Sequence, residues 1–187
     1  MLKRLLSGFV NTVNAVNEWV GDKLAYFLFG FFLLILLQVI LRYLFNAPTV
    51  WASELAQMLF GAYAVLAGGY ILRTGSHVNV DIIYSKLPDK PRAAIDIVTS
   101  VLFFLFLAVL LIYGGGMAMD SLGRLETSGS AWDPPVYPLR LTMPLAAILL
   151  LMQGAAKLIV DICTLFGVDL QVRQSEKIAA KEETETL

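Results

Sequence analysis

Charged residues, cysteine and histidine are scarce in this sequence, and each scarcity excludes a class of protein. Only 16% of the 187 residues are Asp, Glu, Lys or Arg, whereas a soluble domain has about a quarter. The one cysteine, Cys163, excludes an internal disulfide framework and a cysteine-built metal site. The one histidine, His77, excludes a bis-histidine haem held by this chain alone. A net charge of −1 provides no basic excess that would favour nucleic acid as a partner.

Hydrophobic residues, by contrast, make up 58% of the chain, which is more than a soluble domain of this length can bury. They are concentrated in four stretches that contain no charged side chain. The predicted membrane spans lie at about 24–43, 54–73, 96–119 and 140–160. As helices, these stretches are long enough to cross the hydrocarbon core of a bilayer. The sequence therefore predicts an all-α membrane protein, with a domain of four transmembrane helices at residues 23–166.

The distribution of Lys and Arg predicts the orientation of these spans. A chain with four spans has its N-terminal segment, its second loop and its C-terminal end on the same side of the membrane. Eleven of the 14 basic residues fall in these three segments. The positive-inside rule then puts both termini in the cytoplasm. The loops at 42–54 and 120–140 would face the other side.

The two ends of the chain differ in character from the spans. At residues 1–22, polar side chains recur every three or four positions from Arg4 to Asp22. This pattern predicts an amphipathic helix that lies in the cytoplasmic membrane interface with lipid as its partner; the alternative is a helix packed on the protein's own loops. Residues 167–187 include both acidic and basic side chains, and this composition predicts a charged cytoplasmic tail. No role for the tail or for Cys163 follows from the sequence.

The spans lack the groups that ion-coupled transport or catalysis would require. The uncharged stretches within them, residues 24–41, 55–72, 97–119 and 141–156, contain no Asp, Glu, His, Lys or Arg. The chain is therefore not expected to be a pump or proton-coupled carrier by itself. Phosphate-binding loops, nucleophile elbows and acidic metal clusters are also missing from the sequence. We therefore expect no enzyme activity, no metal and no cofactor in this chain.

A helical hairpin is predicted between the first two spans. Pro48 ends the first helix, and Glu54 lies where the next helix begins, which favours an anion. Arg42 ends the preceding helix, and an Arg42–Glu54 pair is expected across the loop. The alternative is an ordinary hairpin that Trp51 anchors at the membrane interface.

The second span carries a face of small and polar side chains, made by Gln57, Gly61, Ala64 and Gly68. Small residues allow helices to approach closely in lipid, and a glutamine can hydrogen-bond across the contact. This face is predicted to pack on another helix, either within the chain or in a partner subunit.

Two loops contain further candidate residues. In the second loop, His77 and Asp81 alternate with apolar residues, and a hydrogen bond between them is predicted to hold the loop together. One histidine and one aspartate are too few for a metal site. Before the fourth span, prolines and aromatic residues predict a stiff outer loop. That loop is either simply rigid or a docking surface on the outer side of the membrane.

Taken in order, these segments resemble the small membrane subunit, of the DctQ type, of tripartite ATP-independent periplasmic (TRAP) transporters. The resemblance covers about residues 20–165. It is carried by Arg42, Phe45, Pro48, Trp51, Glu54, Leu55, His77, Val78, Val80, Asp81, Glu126, Ser128, Pro135, Tyr137, Pro138, Arg140 and Pro144. The chain departs from the family pattern at Ser53, where many members are more acidic, and in its acidic tail.

The resemblance implies transport without ATP in a bacterial inner membrane. A periplasmic substrate-binding protein would deliver an organic acid, such as a dicarboxylate or sialic acid, to a membrane complex. The large membrane subunit would hold the substrate and the sodium ions, and this chain would be its scaffold. On this view the outer loops would contact the binding protein through Trp51, Arg124, Trp132, Tyr137 and Arg140. Two alternatives stay open: a four-helix anchor subunit of another membrane complex, and a stand-alone homodimeric carrier.

Overall fold

Four long helices make up nearly all of the computed structural model, which describes residues 2–47, 49–74 and 88–168. Helix α1 is Leu2–Tyr43, α2 is Val50–Arg73, α3 is Asp89–Gly123 and α4 is Tyr137–Leu165. All four are long and apolar enough to cross a membrane. Within the described residues, the only β-type pairing is an isolated bridge between Thr127 and Pro135. The fold class is therefore the predicted one.

Helix α4 is the centre of the bundle. It packs extensively against α3 on one side and against α2 on the other, and α2 in turn packs against α1. Small residues on α4 allow this close packing, because they let neighbouring backbones approach. Ala146, Ala147, Gly154 and Ala156 of α4 are all buried. A Cβ atom on Gly154 would lie 2.4 Å from the ring of Phe103 in α3.

Helix α1 runs through the predicted boundary between residues 22 and 23 without a break. Its 42 residues correspond to about 63 Å of helix, twice the thickness of a hydrocarbon core. Its first half lies against α4: Val10 and Val13 are 1% exposed and form a cluster with Ala156. Residues 2–22 are thus the first half of a continuous helix. Their position in the membrane interface stays a prediction.

The buried side of the first half of α1 differs from the predicted amphipathic pattern. Asn14, which the pattern puts on a solvated side, is 6% exposed, and Asn17 is 1% exposed. Trp19 and Leu5 are 63% and 64% exposed. The helix buries the face formed by residues 10, 13 and 17 because that face contacts α4. The amphipathic pattern instead predicted burial of the most apolar face.

Long uncovered surfaces remain on α1 and α3. Their exposed side chains are large and apolar, as lipid-facing residues are expected to be. On α1 they include Leu28, Phe29, Phe32, Leu33 and Leu36, and on α3 they include Val98, Leu102, Leu105, Val109 and Ile112.

Candidate functional site

The loop between α3 and α4, residues 124–136, is folded into a compact hairpin. The Ser128 N–H donates to the Pro134 carbonyl at 3.0 Å, and the Val136 N–H donates to the Glu126 carbonyl at 2.9 Å. These two bonds flank the Thr127–Pro135 bridge. The loop therefore has a defined shape, as its prolines predict.

Three left-handed residues shape the loop. Leu125, Gly129 and Asp133 have φ angles of 48°, 68° and 51°. Such angles are strained for leucine, whereas aspartate and glycine adopt them more easily. Asp133 also stabilises the turn, because its Oδ1 atom accepts the Gly129 N–H at 2.8 Å.

Side chains connect this loop to the helices. The Ser130 hydroxyl donates to Glu54 of α2 at 2.6 Å. The Arg140 guanidinium donates to Glu126 at 2.7 Å, and both side chains are 34% exposed. The Trp51 and Trp132 rings lie 6.4 Å apart between centroids, at an angle of 59°. We use the term loop platform for residues 124–136 together with Trp51 and Glu54.

The loop platform leaves a mixed surface open. Trp51 and Trp132 are 38% and 40% exposed, Arg124 is exposed and Tyr137 is half-buried. An ordered loop with exposed tryptophan and arginine is typical of protein–protein contacts, where these residues are enriched. Arg140 is less available than predicted, because Glu126 occupies its guanidinium.

The predicted Arg42–Glu54 pair does not form in the structure. Arg42 is exposed, and the partner of Glu54 is instead Ser130, 76 residues away in sequence. Helix α2 begins at Val50, with Thr49 at the N-cap position and no side-chain cap. Glu54 therefore lies in the second turn of α2, beyond the strongest influence of the helix dipole.

A different polar contact joins the first two helices at this end of the bundle. The Gln38 amide donates to the Ser53 hydroxyl, and Ser53 donates to the Thr49 carbonyl at 3.5 Å. Gln38 belongs to the uncharged stretch of the first span, so this bond satisfies its amide within the chain. No partner for Gln38 was predicted from the sequence.

At the opposite end of the bundle, three amide side chains form a buried network between α1 and α4. Asn17 donates to Gln153 at 3.0 Å, and Gln153 donates to Asn14 at 3.0 Å. We call these three residues the amide network. They have little access to solvent, and the buried Asn17 Oδ1 atom accepts no hydrogen bond. The network was not predicted; its signal was the spacing of Val10, Val13 and Asn17 on one helix face.

Charged side chains surround this end of the bundle. Arg73 of α2 pairs with Glu18 of α1 at 3.0 Å. Lys157 of α4 pairs with Asp96 of α3 at 2.7 Å and with Asp161 at 3.3 Å. These pairs join α1 to α2 and α3 to α4, and they mark where the uncharged stretches end. Because they are partly exposed, they fix geometry more than they add stability.

The predicted packing face of α2 is divided between two environments. Gly61 and Gly68 lie against α4, since a Cβ atom on them would be 3.7 Å from Leu139 and 3.4 Å from Leu150. Gln57 and Ala64 are exposed. Three other predicted site residues, Pro48, His77 and Asp81, lie outside the described residues, as does most of the predicted tail.

Comparison with known proteins agrees with this architecture. The family described as "Tripartite ATP-independent periplasmic transporters, DctQ component" matches residues 31–164. This range contains the last 13 residues of α1, all of α2 and α3, and all of α4 except its last residue. The chain belongs to this family, which is a component of transporters and not a family of enzymes.

Two curated relatives carry the same type of name. The chain is 24% identical over 139 residues to "Sialic acid TRAP transporter permease protein SiaT" of Haemophilus influenzae, and the match covers 74% of this chain and 22% of that protein. It is 27% identical over 77 residues to "Sialic acid TRAP transporter small permease protein SiaQ" of Vibrio cholerae, covering 41% of this chain and 44% of the relative. The matches thus span less than half of either relative's length.

Proposed function

We propose that this chain is the small membrane subunit of a TRAP transporter and acts as a scaffold for the large permease subunit. The family match over residues 31–164 carries this proposal. The structure supports it in two ways. The uncharged stretches of the spans hold no Asp, Glu, His, Lys or Arg that would move an ion, and polar contacts within the chain connect α1 to both α2 and α4.

In this proposal the large subunit holds the substrate and the sodium ions, and this chain contributes no cofactor. Uptake is driven by sodium and depends on a periplasmic substrate-binding protein. The substrate is an organic acid such as a dicarboxylate or sialic acid; the names of both relatives refer to sialic acid. The chain lies in the bacterial inner membrane with both termini in the cytoplasm, as its distribution of Lys and Arg favours.

This orientation puts the loop platform in the periplasm, where the binding protein would reach it. The candidate contacts are Trp51, Arg124, Trp132 and Tyr137. Arg140 has a different role, since its pairing with Glu126 makes it a positioning residue for the loop. A rigid platform lowers the entropic cost of docking because its side chains are already ordered.

The scaffold role is tested by isolating the complex. The chain is expressed with its native genomic neighbours, solubilised in mild detergent, captured, and the captured proteins are identified by mass spectrometry. We expect a large polytopic permease in an equal molar amount. Recovery of this chain alone, or of a self-oligomer only, would contradict the scaffold role.

The substrate and the driving ion are tested by uptake into proteoliposomes that contain the purified complex and its binding protein. Sialic acid and dicarboxylates are offered separately, with an inward sodium gradient or with potassium in its place. We expect uptake of one organic acid that requires both sodium and the binding protein. Uptake without sodium would contradict the driving ion that we propose.

The docking role of the loop platform is tested by reversing one charge. Arg124→Glu should lower binding-protein-dependent uptake about tenfold, the scale of one good interfacial contact, with the membrane complex intact. The control is Arg42→Glu, which reverses another exposed arginine outside the platform. Unchanged uptake with Arg124→Glu would count against the docking role.

A further inference from the structure

The exposed half of the α2 face combines a glutamine with small residues, whereas large apolar side chains dominate the uncovered surfaces of α1 and α3. Gln57 and Ala64 lie on it, with half-buried Gly61 beside them. The uncovered surfaces of α1 and α3 are instead formed by large apolar side chains such as Phe32 and Leu105, which are 56% and 63% exposed. A small and polar helix surface is typical of helix–helix contact in membranes, whereas large apolar side chains suit lipid.

The Gln57 amide makes this contrast stronger. The amides of Gln38 and Gln153 are both hydrogen-bonded within the chain, and in the described structure the exposed Gln57 amide makes no such bond. Gln57 lies about one helical turn after Glu54 and is inside the uncharged stretch of the second span, residues 55–72. Amides without partners are costly in hydrocarbon. A protein partner that offers a hydrogen bond therefore suits this position better than lipid chains do.

Ala64 lies at the middle of the span, ten residues after Glu54 and nine before Arg73. Its short side chain, next to Gly61, leaves room for the backbone of another helix to approach. The ring of Phe60, 54% exposed, stacks on Phe31 of α1 at 5.8 Å and closes one side of this surface. The surface is thus shaped to receive a single helix.

We infer that the surface formed by Gln57, Gly61 and Ala64 is the contact site for a membrane helix of the large permease subunit, with a hydrogen bond across the interface to the Gln57 amide. This inference rests on the proposed scaffold function. The Haemophilus relative favours this occupant over a second copy of the chain, because the part that matches this chain is only 22% of its length. That relative joins the counterpart of this chain to a much longer remainder.

The inference is tested by comparing two alanine-to-leucine variants at similar depth. Ala64→Leu fills the proposed contact, and Ala108→Leu adds the same side chain to the exposed surface of α3. In the affinity capture described above, Ala64→Leu should reduce the recovered large subunit at least tenfold, and Ala108→Leu should leave it unchanged. Gln57→Leu should reduce it about threefold, the scale of one interhelical hydrogen bond in a membrane.

Photo-crosslinking in intact membranes provides a second measurement. A benzoylphenylalanine in place of Phe60, at the edge of the proposed contact, should capture the large subunit, and one at position 105 should capture no subunit. A crosslink to a second copy of this chain, or equal capture from both positions, would overturn the inference. If the wild-type chain captures no large subunit at all, the scaffold function itself is wrong. If the wild-type chain captures the large subunit and Ala64→Leu captures it equally well, only the contact site is wrong.

Discussion

The Asn17 side chain occupies the space directly above Gly69, so that its Oδ1 atom lies 2.3 Å from where a Cβ atom on that glycine would be. The same asparagine donates to Gln153 at 3.0 Å. One side chain of α1 thus touches α2 and hydrogen-bonds to α4. The absence of a side chain at position 69 is what allows all three helices to meet there.

Gly69→Ala should therefore destabilise the protein. The new methyl group displaces the Asn17 amide and breaks its bond to Gln153, at a cost of about 1–3 kcal/mol in the free energy of unfolding. Thermal unfolding of the purified chain in detergent measures the effect. Gly8→Ala is the control, because nothing lies within 4 Å of its Cβ position. A second substitution, Asn17→Ala, removes the clash, so the double variant should lose less than the sum of the two single variants.

Gly154→Ala should weaken the contact between α3 and α4. Its methyl group would lie 2.4 Å from the Phe103 ring, and moving this ring costs about 1–3 kcal/mol in a packed helix pair. Gly115→Ala is the control on α3, where no neighbour lies within 4 Å. Phe103→Leu in the same chain should restore part of the lost stability. If Gly154→Ala unfolds at the wild-type temperature, the packing described for this pair is wrong.

Exchanging the charges of Glu126 and Arg140 distinguishes a positioning role from direct contact. Arg140→Glu alone should speed hydrogen exchange of the Val136 amide and lower uptake, because the 2.7 Å ion pair is replaced by repulsion. Adding Glu126→Arg should restore both. The double variant should be more stable than Arg140→Glu by less than about 1 kcal/mol in the free energy of unfolding, since both side chains are partly exposed. If exchange recovers and uptake does not, Arg140 contacts the binding protein itself.

Ser130→Ala tests the bond between the loop platform and α2. It removes the donor to Glu54, which should cost about 1 kcal/mol of local stability or slightly more, because the acceptor is charged. Hydrogen exchange across residues 127–136 should accelerate, and the Trp51–Trp132 contact should loosen with a change in tryptophan fluorescence. Thr127→Ala is the control, because it shortens an exposed side chain of the same loop.

Sequence patterns predicted the four helices because charged residues bound every span, and charge is excluded from hydrocarbon. They did not predict which side of the first helix is buried. A prediction from amphipathicity treats the buried side as uniformly apolar. Helix α4, however, carries Gln153, whose hydrogen bonds stabilise Asn14 and Asn17 on the contact face. Asn17 and Gln153 are 136 positions apart in the sequence, so the pattern of either segment alone could not predict their hydrogen bond.

The loop platform shows the same limit. Its stiffness followed from its prolines, and the closeness of Trp51 to the final loop was part of the predicted docking surface. The partner of Glu54 was assigned to Arg42 because opposite charges lay close in sequence. Ser130 is bonded to it instead, because the folded loop brings its hydroxyl to the end of α2. Local charge pairing therefore predicted the wrong partner where a distant loop folds over the helix end.

Two of the polar attachments of α1 lie far apart along the helix, and together they fix its rotation about its own axis. Asn17 is bonded to α4 and Gln38 to α2, and the two lie 21 residues, or about 31 Å, apart along one helix. A single attachment would leave the helix free to swivel and slide, but two attachments to different neighbours do not. Helix α1 therefore presents the same row of side chains to the surrounding membrane at all times. A moving neighbour would meet a surface of constant register.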